Sequence, residues 1–306
     1  MTKRNYLLEL WRFFFCIAVL GLHFFSKVNI PLFHVGYLGV EFFFVVAGYF
    51  VGAYYVKKMQ NLPLLQQVKA VGGYAVSRLK RLYPYYFFAL LLMLFVRILT
   101  RQYGIGQVPS ILKKCYAEFF MLQWTPIGNE VLINAGWFVP SVFFAGLFYV
   151  ALFTVCKKWT GYLIAPVCFL GIYGYYYRLI GKIDVIFSYH SVLRGIAGVG
   201  LGIFVFFLCE KLRNVVKERS WYPKLAIIII TILFFGVFIY TNFGRRSKWD
   251  FLVIALYGIG VLLLMAADVK GNEKVEKIVG LLGKSTYPIY IFQMPVIECI
   301  LFLIER

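Results

Sequence analysis

Hydrophobic residues along this chain fall into long runs broken by short polar loops. A helix needs about 20 apolar residues to cross the hydrocarbon core of a bilayer. Nine runs come close to that length, at residues 7–26, 38–56, 83–99, 137–155, 161–177, 191–208, 225–241, 251–267 and 286–304. The predicted fold is an all-α polytopic transmembrane bundle of about nine to ten spans. Residues 100–136 are ambiguous. Their centre, 119–124, is apolar but too short to cross, which predicts a re-entrant or surface helix. A tenth span hidden there, or near the C-terminus, would change the side on which the chain ends. No long internal repeat is visible, which counts against the inverted-repeat transporters. Gly198 and Gly202 have the spacing of a close helix contact, and packing is the simplest reading of them.

The loops assign the sides. Lys57, Lys58, Lys69, Arg78, Lys80 and Arg81 crowd one loop, and Lys157 and Lys158 follow two spans later. Lys211, Arg213, Lys217, Arg219 and Lys224 come next, then Lys270, Lys274, Lys277 and Lys284. These loops fall on the side of Lys3 and Arg4, and the positive-inside rule makes that side cytoplasmic. Arg245, Arg246 and Lys248 run against the trend on the other side.

Composition agrees with a bilayer as solvent. The chain is 62% hydrophobic and 15% charged, whereas a soluble domain is about half apolar and about a quarter charged. The net charge of +19 resides in loops between apolar runs, so it is a topology signal and not a nucleic-acid footprint. The six Cys are scattered, suggesting neither a disulfide framework nor a metal site. The first run carries Glu9 and Arg12 and has no small-residue cleavage site after it, so it reads as an uncleaved span. Residues 1–306 read as a single membrane-embedded domain.

A charged side chain inside the bilayer costs on the order of 3 kcal/mol, so each one calls for a reason. Arg12, His23, Glu41 and Arg194 are the clear cases. Arg12 and His23 are eleven residues apart. Eleven helical steps return to within about 20° of the start, so both lie on one face, separated by about 16 Å along the axis. One face then carries a fixed cation low and a titratable base high. Glu41 opens the next span, at a depth similar to that of His23. It either orients the imidazole as the partner of a general base, or neutralises a nearby Arg or Lys. Arg78 and Arg81, with Lys80 beside them, share one face of the third helix, and Pro84 is expected in its first turn. On composition alone they read as positive-inside anchors. Arg194 either faces the same cavity or snorkels to the surface. His34 and His190 lie in outer loops or edges, where a solvated His needs no explanation. Gly283-Lys284-Ser285 lacks the earlier glycine that a phosphate loop requires, since Ile278 stands there.

Taken in order, these residues resemble acyltransferase family 3, the integral membrane acyltransferases, over nearly the whole length. Arg12 and His23 fit the basic-x10-His signature of the family's first span. Gly39, Val40, Glu41, Phe42, Phe43 and then Gly48 fit its Gly-Val-acidic-Phe-Phe run. Arg78, Arg81, Tyr83 and Pro84 fit Arg-x-x-Arg-x-Tyr-Pro. Trp137 matches a Trp that opens a central span, and Ser285, Tyr287 and Tyr290 match a C-terminal Ser/Tyr cluster. Two positions depart from the pattern. Gln293 stands where the family often has His, and Ser141, Val142, Phe143 and Phe144 follow the central Trp motif where a Glu is common.

The resemblance implies transfer of an acyl group, usually acetyl, from acyl-CoA to a hydroxyl of a cell-surface or lipid-linked glycan. It implies that His23 and Arg12 are essential, and it turns Arg78 and Arg81 into contacts for the donor's phosphates. The expected mechanism has acyl-CoA entering from the cytoplasm, with its phosphates on Arg78, Lys80 and Arg81 and its thioester carried past Arg12 to His23. The base takes the acceptor's proton, Glu41 steadies the imidazolium, and Ser285, Tyr287 or Tyr290 donates to the oxyanion. Trp137 and Arg194 are further candidates for substrate contact. No metal and no nucleic acid enters this scheme, and the expected location is a bacterial cytoplasmic membrane with the N-terminus inside. The competing reading is a transporter or flippase for a glycan or lipid intermediate, with the buried His, Glu and Arg as a proton relay. A non-catalytic scaffold would instead tolerate loss of His23 and Glu41 together.

Overall fold

Each apolar run forms a helix. The computed structural model describes residues 5–304 apart from 125–127, 129, 187–188, 217–218, 268 and 270. Of the basic residues that assign the sides, Lys3, Arg4, Lys217 and Lys270 lie outside the described residues. The helices are α1 (Tyr6–Lys27), α2 (Leu38–Lys58), α3 (Leu64–Leu99), α4 (Val108–Lys114), α5 (Tyr116–Phe119), α6 (Phe138–Cys156), α7 (Ala165–Tyr175), α8 (His190–Val216), α9 (Tyr222–Phe243), α10 (Trp249–Ala267) and α11 (Glu273–Ile304). Nine of them, α7 being extended by its flanking π-helical turns to Thr160–Ile180, are long and apolar enough to cross a membrane among the described residues. No strand is found among those residues.

The centre of the bundle is α8, which packs on α2, α6, α7 and α10. Its approach to α2 depends on glycine. A Cβ on Gly202 would come within 2.0 Å of the Val45 carbonyl, and one on Gly48 within 2.0 Å of the Val199 carbonyl. Gly198 meets the Phe44 side chain in the same seam. The expected packing role of Gly198 and Gly202 is thus met, with α2 as the partner. On the other side α2 touches α1, where a Cβ on Gly39 would lie 2.6 Å from the Phe15 carbonyl. α1 in turn lies along α11, and α3 packs on α6 and α11.

Three helices outrun their apolar stretch, α8 by continuing to Val216 beyond the run that ends at 208. α3 begins at Leu64 and α11 at Glu273, well before the apolar runs at 83 and 286. Apolar length measures only the part that crosses lipid, whereas backbone hydrogen bonding continues through the polar turns that precede it. Pro84 is consequently not in the first turn of its helix, as the sequence suggested, but inside it. There it removes the hydrogen bond that would reach the Lys80 carbonyl.

The stretch between α3 and α6 folds back along α3. Tyr83 Oη donates to the Phe119 carbonyl at 2.9 Å, and Tyr86 Oη to the Glu118 carbonyl at 3.1 Å. Tyr86 lies about 20 Å along the axis from the C-terminal end of α3, so the segment is re-entrant. Glu118 holds it in shape. Its carboxylate is fully buried and accepts from the backbone N–H of Leu132 at 2.5 Å and of Ile133 at 3.0 Å. Burial lifts its carboxyl pKa to about 7, against the lowering effect of those two bonds and of Arg97. At the end of the bundle where α10 begins, buried Asp250 gathers Tyr37, Tyr240 and the Ser247 N–H. The Phe33 N–H bonds the Asn242 carbonyl at 2.9 Å, tying the α1–α2 loop to the end of α9.

Candidate functional site

α1 and α11 run parallel, and their contacts fix a register. A Cβ on Gly283 would collide with Glu9, Arg12 Nη2 donates to Thr286 Oγ1 at 3.1 Å, and Cys16 Sγ donates to the Thr286 carbonyl at 3.3 Å. Further along, Lys27 Nζ lies 3.8 Å from Glu298 Oε1. This register places His23 level with the turn of α11 that carries Gln293 and Met294. Gln293 is 3% exposed, and neither its amide nitrogen nor its amide oxygen has a hydrogen-bond partner among the described residues. An amide buried in that way costs free energy unless a ligand completes it.

Below this level, on the side of the bundle that carries Lys57, Lys58 and Lys80, a cavity of about 150 Å³ opens. Three guanidinium groups line it, those of Arg12, Arg78 and Arg81. Arg12 is held by Glu9 at 2.6 Å as well as by Thr286, and Arg78 lies over the Tyr74 ring at 5.1 Å. No carboxylate is among the described residues that line it, and its apolar walls come from Phe43, Phe138, Tyr287 and Tyr290 among others. A compact cationic mouth with an aromatic interior suits an anionic head on a narrow apolar arm. Lys80 is exposed and is not part of this lining. The helix explains the choice: Arg78 and Arg81 are three residues apart on one face, and Lys80 points elsewhere.

At the opposite end of α1 a second cavity, about 390 Å³, is lined by Leu22, Ser26, His34, Arg245 and Arg246. His23 shares its turns of α1 with Leu22 and Ser26 of the second cavity, is partly buried, and lines neither cavity. Among the described residues, Asp184 and Lys27 are charged groups that act on its ring. Asp184 pairs with Arg246 of the second cavity at 2.8 Å.

Glu41 does not serve His23. Its carboxylate is fully buried and takes Arg194 Nη2 at 2.6 Å, Arg194 Nε at 3.0 Å and the Tyr173 hydroxyl. The reason is rotational. Gly39 abuts α1, and Glu41 stands two residues, about 200°, further round the helix. It shares a face with Gly48, seven residues on, which abuts α8. Similar depth on neighbouring helices was not enough, and the neutralising alternative is the arrangement found. Arg194 does not snorkel. It is fully buried, lies over the Trp137 ring at 4.5 Å, and has no partner for Nη1 among the described residues. Trp137 therefore acts on Arg194 rather than on either cavity.

The C-terminal hydroxyls are already engaged. Ser285 Oγ donates to the Leu282 carbonyl at 2.8 Å within its own helix, Tyr287 Oη to the Leu82 carbonyl at 2.7 Å, and Tyr290 Oη to the Ala135 carbonyl. Tyr287 and Tyr290 line the first cavity, and Ser285 does not; Thr286 takes its place. His190 stays at the head of α8 against Tyr176, its Nδ1 3.3 Å from that hydroxyl. Sequence reasoning missed Thr286, Tyr74 and Glu118 as polar anchors. The signal available for Thr286 was its offset of one residue from the Ser/Tyr cluster on the face toward α1. Among the described residues no His/Cys/Asp/Glu group could hold a metal ion.

A family model described as an acyltransferase domain matches residues 5–304. No match was found among curated proteins or among solved structures. The match covers essentially every span, including the Arg12 and His23 face of α1, the Glu41 turn of α2 and the α11 cluster. The chain belongs to acyltransferase family 3, and is an integral membrane acyltransferase.

Proposed function

We propose that the protein moves an acyl group, acetyl in the simplest case, from acyl-CoA on its basic, cytoplasmic side to a hydroxyl of a cell-surface or lipid-linked saccharide on the other side. The observation that carries this reading is the convergence of Arg12, Arg78 and Arg81 on one cavity at one end of α1, with a separate cavity abutting the His23 turn at the other end. Arg78 and Arg81 hold the donor's phosphates. The pantetheine arm follows the aromatic wall past Arg12, whose guanidinium is kept in place by Glu9 and Thr286.

His23 is the base. It removes the acceptor hydroxyl's proton as the oxygen attacks the thioester carbonyl. The tetrahedral intermediate collapses with loss of the CoA thiolate, which takes the proton back from the imidazolium. The oxyanion donor is assigned to the Gln293 amide, which is level with His23 and unpaired. Ser285, Tyr287 and Tyr290 already spend their hydroxyl protons on carbonyls. Glu41 acts one step away, by fixing Arg194 and with it the α2–α8 seam. Because the first cavity is walled by Phe43, Phe138 and Tyr290 and stops short of His23, productive binding requires these rings to move aside for the thioester.

The test is transfer of label from [14C]acetyl-CoA to a panel of surface saccharides by the purified protein. Wild type should give labelled saccharide, and His23→Ala should reduce the rate by about 10²–10⁴-fold at unchanged membrane abundance. A His23→Ala protein of wild-type activity would remove the imidazole from the chemistry.

A further inference from the structure

The second cavity carries charge that a neutral sugar does not need. We propose that it is the seat of an anionic group on the acceptor: a carboxylate- or phosphate-bearing saccharide, gripped by Arg245 and Arg246 while one of its hydroxyls is delivered to the His23 turn. This rests on the acyl-transfer reading and names the class of acceptor.

The geometry supports it in four ways. The cavity is lined by two guanidinium groups, the His34 imidazole, Ser26 and Leu22, and no carboxylate is among the described residues that line it. Arg246 is partly offset by Asp184 at 2.8 Å, while no ion pair of Arg245 is found among the described residues. Guanidinium groups recognise carboxylate and phosphate oxygens through paired N–H donors, a geometry wasted on a neutral ligand.

The second point is position. Leu22 and Ser26 belong to the same two turns of α1 as His23, so a ligand anchored here has hydroxyls within a sugar's length of the base. Third, the guanidinium pair is presented on a pinned corner. Tyr240 Oη lies 3.3 Å from the Arg245 carbonyl, 3.2 Å from Ser247 Oγ and 2.9 Å from Asp250 Oδ1. The neighbouring Asn242 carbonyl holds the Phe33 N–H of the facing loop. The backbone that carries the two side chains is therefore already ordered before a ligand arrives. Fourth, Arg245, Arg246 and Lys248 gather at the end of the bundle opposite the main basic loops, where the topology rule disfavours cations. A binding role accounts for their presence.

The experiment is isothermal titration of the purified protein in phosphatidylcholine nanodiscs with trigalacturonate and with maltotriose, its uncharged counterpart. Trigalacturonate should bind about tenfold or more tightly than maltotriose, and high salt should erode the difference. Arg245→Ala should abolish the preference, Arg245→Glu should reverse it, and Arg245→Lys should keep part of it. Arg246→Ala also breaks the Asp184 pair, so the Arg245 series is the decisive one.

A second set of discs, doped with phosphatidylglycerol, separates acceptor from lipid. If the arginines serve lipid headgroups, the saccharide preference is absent in phosphatidylcholine discs and Arg245→Ala alters only phosphatidylglycerol binding. That result overturns the proposal, as does equal binding of the two saccharides or a preference that survives Arg245→Ala and Arg245→Glu. Failure of the acyl-transfer reading looks different: trigalacturonate preference intact, with no label passing from [14C]acetyl-CoA to any saccharide.

Discussion

Glu41 and Arg194 are both fully buried, and each is the other's ion-pair partner among the described residues. Removing one partner strands an uncompensated charge, at a cost of about 3–5 kcal/mol. Glu41→Gln and Arg194→Met should each lower the thermal midpoint in detergent sharply, and the double variant should recover much of the loss because neither charge remains. A Glu41→Gln protein with a wild-type midpoint but no transfer would return Glu41 to the reaction. At the donor end, Arg78→Ala should raise the KM for acyl-CoA by about tenfold while leaving that for the saccharide unchanged. Equal changes in both would mark Arg78 as a plain anchor. The intramembrane charges were legible in the sequence because each violates the hydrophobic run around it. Their partners were not. Which residue Glu41 meets depends on helix rotation, and only the glycines at 39 and 48, once assigned to α1 and α8, reveal it.

At the scale of elements, the seam between α2 and α8 and the re-entrant segment are the two features most exposed to single changes. Gly202→Ala would push a methyl to 2.0 Å from a backbone carbonyl that has no rotamer to escape into, and should cost about 1–3 kcal/mol. Gly236→Ala, in α9 with nothing within 4 Å of the new methyl, should be neutral or stabilising by up to about 1 kcal/mol. Similar losses at the two sites would deny the seam its special role.

The re-entrant segment should respond to pH through Glu118. Its carboxyl titrates near 7 in the folded protein, above the ordinary carboxylate range of the unfolded chain. The folded state therefore binds that proton more tightly, and this contribution to stability is complete below about pH 4.3 and is lost as pH rises through about 7. Hydrogen exchange at Leu132 and Ile133, corrected for intrinsic rates, should show weaker protection at pH 8 than at pH 5.5. Glu118→Gln should flatten that dependence, and an unchanged slope would assign it to another group. The spans themselves were readable because membrane thickness sets a length. The ends of α3 and α11 were not, because helical hydrogen bonding does not stop where lipid does. The re-entrant stretch was legible as a misfit in length, but its clamp on Leu132 and Ile133 is a long-range backbone contact with no local signature.

Over the whole molecule, α1 is the rod that joins the cavity proposed for the donor to the cavity proposed for the acceptor. Its low end puts Arg12 in a cationic cavity with Arg78 and Arg81, and its high end abuts a second cavity with Arg245 and Arg246. His23 lies at the level of the second cavity, and the proposed reaction requires the Phe43, Phe138 and Tyr290 wall to open for the donor to reach it from below. The common face of Arg12 and His23 could be read from spacing alone, but the division into two cavities could not, since it depends on how α3, α6 and α11 close around that face. Transfer across the membrane can be measured in proteoliposomes carrying the protein in one orientation, with [14C]acetyl-CoA sealed on the side of Arg78 and the saccharide fraction only on the side of Arg245. Labelled saccharide should appear on the Arg245 side and be lost in His23→Ala. Label appearing only when donor and saccharide share a side would contradict a reaction that spans the bilayer.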